Sequence, residues 1–249
     1  MRRKFPLITA HAGCLGTVPN SVEAVLAALS SDADIVEVDI RATRDGVVVL
    51  THDDSFELED GKRARVEDLD WDSIRRFPAR SETDEVIRIE ALFELVGHSD
   101  KVLNLDSKEP RAMLLSTRAI AAAGKERDVV FSGLYEKDIA IAANELRRFR
   151  YLFNADAVVR SKGGGVEGMV EACEAAAEFR CSGINLQWKI ATEERLEYAR
   201  RRCVPVMLWT VDREADMKAV LDLDPYSVTS NRPDILRSLI DERNLSPSV

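Results

Sequence analysis

Two histidines and three carboxylates are the residues of this chain best placed to do chemistry. Glu37 and Asp39 lie two apart in DIVEVDIRATRDGVVVLTHDD, residues 34–54. Residues 35–40 are an aliphatic, β-branched run that reads as a buried strand. A spacing of two puts both carboxylates on one face of that strand. Burying two like charges is costly unless something neutralises them, and a divalent cation is the cheapest partner that fits. Hard oxygen ligands suit Mg2+ or Ca2+, and Asp106, at the end of the run VLNLD, offers a third carboxylate. His11 follows the apolar run 7–10. His52 follows the run 47–50, which returns from an Asp45-Gly46 turn. An imidazole titrates near neutrality, so the pair can pass protons beside a metal. Lys108, just past Asp106, either balances the acids or holds a phosphate oxygen. The non-catalytic alternative for Glu37 and Asp39 is an ion network with Arg41 or Arg44. His98 follows a helix-ending glycine and reads as a surface residue.

These groups need a frame. Strand patterns fall at residues 7–10, 35–40, 102–106, 129–132, 150–154, 183–186, 205–209 and 226–229. Helix patterns fall at 22–29, 89–96, 112–123, 137–148, 166–179, 193–202, 214–221 and 233–241. Strands alternating with helices imply a parallel sheet with crossover helices. Eight such units in 249 residues fit an α/β fold of the closed (β/α)8 TIM-barrel type, one domain over residues 1–249. A polar excursion over 53–89 follows the second strand, with a turn at Asp60-Gly61 and a short helix over 66–77. In a barrel, polar residues at the strand ends converge on one mouth. Ser132, Gln187, Trp188 and Trp209 join the acids and histidines there. Trp209 is either core packing or a platform for substrate. SKGGGV, residues 161–166, is either a phosphate cradle or a plain loop.

Composition narrows the partners. The net charge is −9, which disfavours nucleic acid and stable association with an anionic membrane. A small-molecule substrate is expected, and an anionic one needs local positive charge or a metal. Cys14, Cys173, Cys181 and Cys203 form no CxxC, so metal-binding or redox spacing is absent. No apolar run reaches the length of a membrane span or of a signal peptide, and a cytoplasmic protein is expected. No GxSxG elbow is present. Composition leaves the oligomeric state open.

Taken together, these stretches resemble the glycerophosphodiester phosphodiesterase family. The matching pieces are ITAHAG, VPNSVEAV at 18–25 and the block 34–54, then LNLDSK at 103–108, VMLWTVD at 206–212 and VTSNRPDIL at 228–236. They run in the family's order over nearly the whole chain. The resemblance implies a (β/α)8 barrel with a divalent cation, and cleavage of a glycerophosphodiester to an alcohol and glycerol 3-phosphate. It implies Glu37, Asp39 and Asp106 as metal ligands, His11 and His52 as the acid–base pair, and Lys108 and Trp209 in the substrate site. Three positions depart from the family's usual pattern. Ala12 stands where it has arginine, Pro19 where glutamate is common, and Asp106 where glutamate is usual. Arg41, of the same strand parity as Glu37 and Asp39, is the candidate replacement for the missing guanidinium. Two other readings remain: a sphingomyelinase D-like phospholipase, which would need an apolar mouth, and a catalytically impaired phosphate-binding barrel, motivated by Ala12.

Overall fold

The computed structural model describes residues 6–57, 61–75 and 86–245. Eleven strands are present among them: β1 (Leu7–Ala10), β2 (Ile35–Ala42), β3 (Val48–Leu50), β4 (Ser55–Glu57), β5 (Arg63–Arg65), β6 (Val102–Ser107), β7 (Val129–Leu134), β8 (Arg150–Asn154), β9 (Gly183–Gln187), β10 (Val206–Trp209) and β11 (Ser227–Ser230). Eight of them, β1, β2 and β6 to β11, pair in parallel in that order. The ring closes where β1 meets both β2 and β11. This is the expected (β/α)8 barrel. β3 adds antiparallel to the end of β2, with Ile40 opposite Leu50 and Ala42 opposite Val48. β4 and β5 form a separate hairpin outside the barrel.

The strands form where β-branched and aliphatic residues cluster, and they bury both faces. Ile8, Val38, Ile40, Leu103, Leu105, Phe131, Phe153, Ile184, Leu186, Leu208 and Val228 are almost fully buried. They point outward into the helix layer, as all-parallel sheets require. Positions of the opposite parity face the barrel axis, and there the chain places its polar side chains: Thr9, Glu37, Asp39, Ser132, Asn154 and Thr229.

The helices return the chain between strands, from Val22–Ser30, capped by the Ser21 side chain, to Pro233–Leu245. The helix expected over 137–148 is two pieces, Glu136–Ile141 and Ala143–Leu146, broken where buried Ala142 leaves helical geometry (φ −108°, ψ 14°). A further helix, Asp156–Ser161, precedes the glycine run and packs on helix Glu167–Glu178. Gly168 permits the contact, since a methyl there would meet the Val159 backbone at 2.7 Å.

The excursion carries its own small core, in which Val49, Val66, Ile74 and Val86 are buried. In place of one helix over 66–77 there is a 3-10 turn, Val66–Asp68, and a short helix, Trp71–Ile74. Asp60, half of the expected turn with Gly61, and residues 76–77 lie outside the described residues. No described helix is long and apolar enough to cross a membrane.

Candidate active site

The carboxyl ends of the barrel strands surround a cavity of about 310 Å3 lined by His11, Glu37, Asp39, His52, Asp106, Lys108 and Trp209, among others. Register explains the acid cluster. Asp39 pairs with Asp106 across β2 and β6, and Glu37 lies one inward-facing position deeper, opposite Asn104. One oxygen from each of Glu37, Asp39 and Asp106 lies within 4.8 Å of the others. Glu37 and Asp39 are buried, at 6% and 4% exposure.

Neighbours hold each acid. Glu37 Oε2 accepts from Ala12 N–H at 2.8 Å. Asn20 clasps Asp39 at two points. Its Nδ2 donates to Asp39 Oδ2, and its Oδ1 accepts from Asp39 N–H, each at 2.8 Å. Ser132 Oγ donates to Asp106 Oδ1 at 2.7 Å. Lys108 Nζ lies 2.7 Å from Asp39 Oδ1 and also bonds Asp106 Oδ2. Gly133 lets β7 come close. At φ +78° a methyl would collide with the Ser107 carbonyl oxygen and sit 3.0 Å from Asp106 Oδ1.

The charges do not balance within the cluster: three carboxylates face one ammonium. Burial pushes the Glu37 carboxyl well above the usual range, and the charges of Asp39 and Asp106 push it further. Burial works against the Lys108 charge, but Asp106 and Asp39 outweigh it and hold its pKa above the ordinary lysine value. An all-oxygen donor set with surplus negative charge is the chemistry that holds Mg2+ or Ca2+.

The histidines flank this cluster. His11 Nε2 is 4.0 Å from Glu37 Oε2, and its Nδ1 is 2.9 Å from Asn231 Oδ1. Asn231 is oriented by Asp212, to which it donates from Nδ2 at 2.9 Å and from its backbone N–H at 2.8 Å. The amide oxygen therefore faces the ring, so Nδ1 donates to it and Nε2 is the nitrogen turned toward Glu37. His52 is more exposed. Its Nδ1 lies 3.1 Å from Asp53 Oδ1, and the Thr51 N–H bonds the Asp39 carbonyl at 3.1 Å.

Arg41 does not line the cavity. Its Nε donates to the His52 carbonyl at 2.9 Å, and its guanidinium lies 3.9 Å from Glu109. The parity of Arg41 holds, but its length carries the charge to the loop rather than inward. Gln187 and Trp188 are also outside the lining. Gln187 bonds Arg160, and Trp188 packs on the core under Lys189. The glycine run lies outside the cavity lining, and Arg195 donates to its carbonyls at Gly163 and Gly165. His98 is exposed, as expected.

Sequence reasoning missed Asn20, Asn231, Asp212 and the asparagines Asn104, Asn154 and Asn185 in the cavity wall. Either Asn20 or Ser21 reads from sequence as the helix cap, and the cap is Ser21. Asn20 and Asn231 do sit in the PNS and SNRPD stretches that carry the resemblance.

Comparison with known proteins completes the assignment. The model of the glycerophosphoryl diester phosphodiesterase family matches residues 11–235. The chain belongs to this family. Its members' enzyme class, phosphodiester hydrolase acting on glycerophosphodiesters, is the class of this protein. A glycerophosphodiester phosphodiesterase of Caldanaerobacter subterraneus subsp. tengcongensis is 24% identical over 249 residues, covering 94% of this chain and 97% of that one. A lysophospholipase D of Mus musculus is 23% identical, covering 96% and 83%. Among solved structures, an Oleispira antarctica phosphodiesterase in complex with the product sn-glycerol-3-phosphate superposes with a TM-score of 0.80. It is 17% identical and covers 95% of this chain and 97% of its own. The Thermotoga maritima glycerophosphodiester phosphodiesterase gives 0.74 at 18% identity, covering 96% and 100%. These likenesses support the barrel fold of this phosphodiesterase.

Proposed function

We propose that this phosphodiesterase releases an alcohol and glycerol 3-phosphate with one divalent cation, Mg2+ or Ca2+, held by Glu37, Asp39 and Asp106. The observation that carries this reading is the set of three carboxylate oxygens within 4.8 Å of one another beside His11. A cation bound there supplies positive charge against a non-bridging phosphate oxygen. Lys108 supplies a second positive charge to the phosphoryl group. His11 takes the proton of the nucleophile at Nε2, with Asn231 and Asp212 holding the ring. His52 delivers a proton to the leaving alkoxide. Arg41 acts through His52, by fixing the backbone that carries it.

The substrate is small and water-soluble. The charged and amide side chains lining the cavity, the net charge of −9 and the four free thiols support a small-molecule substrate and a reducing, cytoplasmic setting, with no nucleic acid and no stable membrane partner. The product seen in the Oleispira relative fits the same chemistry.

The test strips the enzyme with chelator, then adds Mg2+ or Ca2+ in separate titrations. Release of glycerol 3-phosphate from glycerophosphoethanolamine is followed. Activity is expected to vanish on stripping and return with one of the two ions. Full turnover by the stripped enzyme would overturn the reading.

A further inference from the structure

A second, smaller space opens off the catalytic cavity. It is a cleft of about 160 Å3 between the loops that follow β6 and β7, and it shares Ser107, Lys108, Gly133 and Tyr135 with the catalytic cavity. The two spaces therefore meet at Lys108, the residue assigned above to the phosphoryl group. Beyond that junction Glu109, Lys137 and Asp138 wall the cleft.

The charges of the cleft are unequally committed. Asp138 is buried, and its Oδ2 accepts from the Tyr135 N–H at 3.0 Å. Glu109 Oε1 accepts from the Ala42 N–H at 2.8 Å, and its Oε2 lies 3.9 Å from Arg41. Lys108 is taken by Asp39 and Asp106. Lys137, the second residue of helix Glu136–Ile141, is exposed and has no hydrogen bond or ion pair among the described residues. An incoming group thus meets one uncommitted ammonium and two carboxylates that the protein already holds. That balance suits an oxyanion, which a lysine can meet with a charge-assisted hydrogen bond.

We propose that the cleft receives the leaving alcohol and that Lys137 selects alcohols bearing an oxyanion, a carboxylate or a second phosphate. The proposal rests on the phosphodiesterase reading above and adds a determinant of its selectivity. The histidines assign the half of the substrate. His11 follows β1, and β2 separates β1 from β6 in the ring, so the cleft lies on the far side of the acids from His11. His52 lies on the cleft side. Arg41 donates to the His52 carbonyl at 2.9 Å and approaches Glu109 in the cleft wall. An alcohol that takes its proton from His52 therefore departs past Lys108, and its substituent extends toward Lys137.

The test uses two substrate pairs whose members differ by one oxyanion. Glycerophosphoserine is set against glycerophosphoethanolamine, and glycerophosphoglycerol bearing a terminal phosphate against glycerophosphoglycerol itself. The quantity read is the ratio of kcat/KM within each pair, for the metal-loaded enzyme. In Lys137→Met the ratio is expected to fall roughly two- to fivefold from its wild-type value, the worth of an exposed ion pair. In Lys137→Glu attraction becomes repulsion, and the fall is expected to be roughly 5- to 20-fold. Lys137→Arg keeps the charge and is expected to keep the ratio. A fall in the first pair names a carboxylate, and a fall in the second names a phosphate. Circular dichroism confirms that each variant is folded, and Lys137→Gln, equally neutral, replaces Lys137→Met if that variant melts early. A ratio unchanged in the neutral variant for both pairs, or lost equally in Lys137→Arg, would overturn the proposal. No turnover of any substrate would count against the phosphodiesterase reading instead. Calorimetry with the same four compounds then decides the cleft alone. Tighter binding of an anionic member than of its partner, lost in the neutral variant, supports the proposal, and equal affinities overturn it.

Discussion

Asn20 grips Asp39 by both its side chain and its backbone, and both contacts are 2.8 Å long and buried. It does so from a left-handed conformation, φ +64°, which asparagine tolerates better than most residues. Asn20→Ala removes the clasp and leaves the Asp39 N–H unpaired, at a cost of about 1–3 kcal/mol. Metal affinity is expected to fall roughly 10- to 100-fold, the usual worth of a group that orients a ligand. Asn20→Gly relieves the backbone but not the lost clasp. It should therefore melt above Asn20→Ala while binding metal no better. Thermal melts and metal titrations of the two variants check both statements. An Asn20→Ala protein with wild-type metal affinity would remove Asn20 from the site.

The histidine pair is expected to show rate effects without stability effects. His11→Ala and His52→Ala should each lower kcat by roughly two to four orders of magnitude. The double mutant should lose less than the product of the two, because one disabled proton transfer makes the other matter less. Asn231→Ala frees the His11 tautomer and should cost roughly 100-fold in kcat, the lower end of what positioned proton transfer is worth. Melting temperatures and steady-state kinetics on glycerophosphoethanolamine separate the cases. Unfolding of a single histidine mutant would make that residue structural.

Lys108 should have opposite consequences with and without metal, because it touches the same carboxylates that a cation would hold. Lys108→Met leaves the acids uncompensated, and in chelator it is expected to lose about 3 kcal/mol of stability. Added Mg2+ or Ca2+ should then raise its melting temperature by more than it raises that of the wild type. Activity should still fall, since the phosphoryl group loses a positive neighbour. Equal metal-induced shifts in the two proteins would show that Lys108 and the cation do not share the carboxylates.

The thiols differ in reactivity. Burial pushes Cys14 and Cys173 up to about 11 and Cys181 up to about 12, so at pH 8 all three are protonated and poor nucleophiles. Cys203 is exposed. Iodoacetamide on the native protein at pH 8 is expected to modify Cys203 alone, as read by peptide mass spectrometry. Raising the pH through 11 should bring in the others only as far as burial admits the reagent. Modification of Cys14 at pH 8 would mean that the loop carrying His11 opens.

The sequence made the acids legible because a strand has a strict period of two. Glu37 and Asp39 share a face whatever the fold, and the alternation of strands and helices then brings Asp106 beside them. Side-chain length defeated the same argument for Arg41. Parity sets where a Cβ points, but a guanidinium several bonds away follows the nearest carbonyl, here that of His52. Asn20 and Asn231 were illegible for another reason. An asparagine is common in turns and caps, and only closure of the barrel reveals which partner its amide finds. The break at Ala142 follows no signal in the local sequence, since alanine is the best helix former.

His11 and Asn231 are 220 residues apart, and the strands just before them, β1 and β11, pair residue for residue from Leu7–Ser227 to Ala10–Ser230. A chain made from its amino terminus therefore carries His11 from the start and receives Asn231, which bonds its ring, almost last. Contacts of such long separation are the slowest to form. On a ribosome, a growing chain that ends before β11 has the acids and both imidazoles but neither Asn231 to hold His11 nor the closing strand. Hydrolytic competence is expected only with the final stretch of synthesis, and chains that end before β11 are expected to be inert as catalysts.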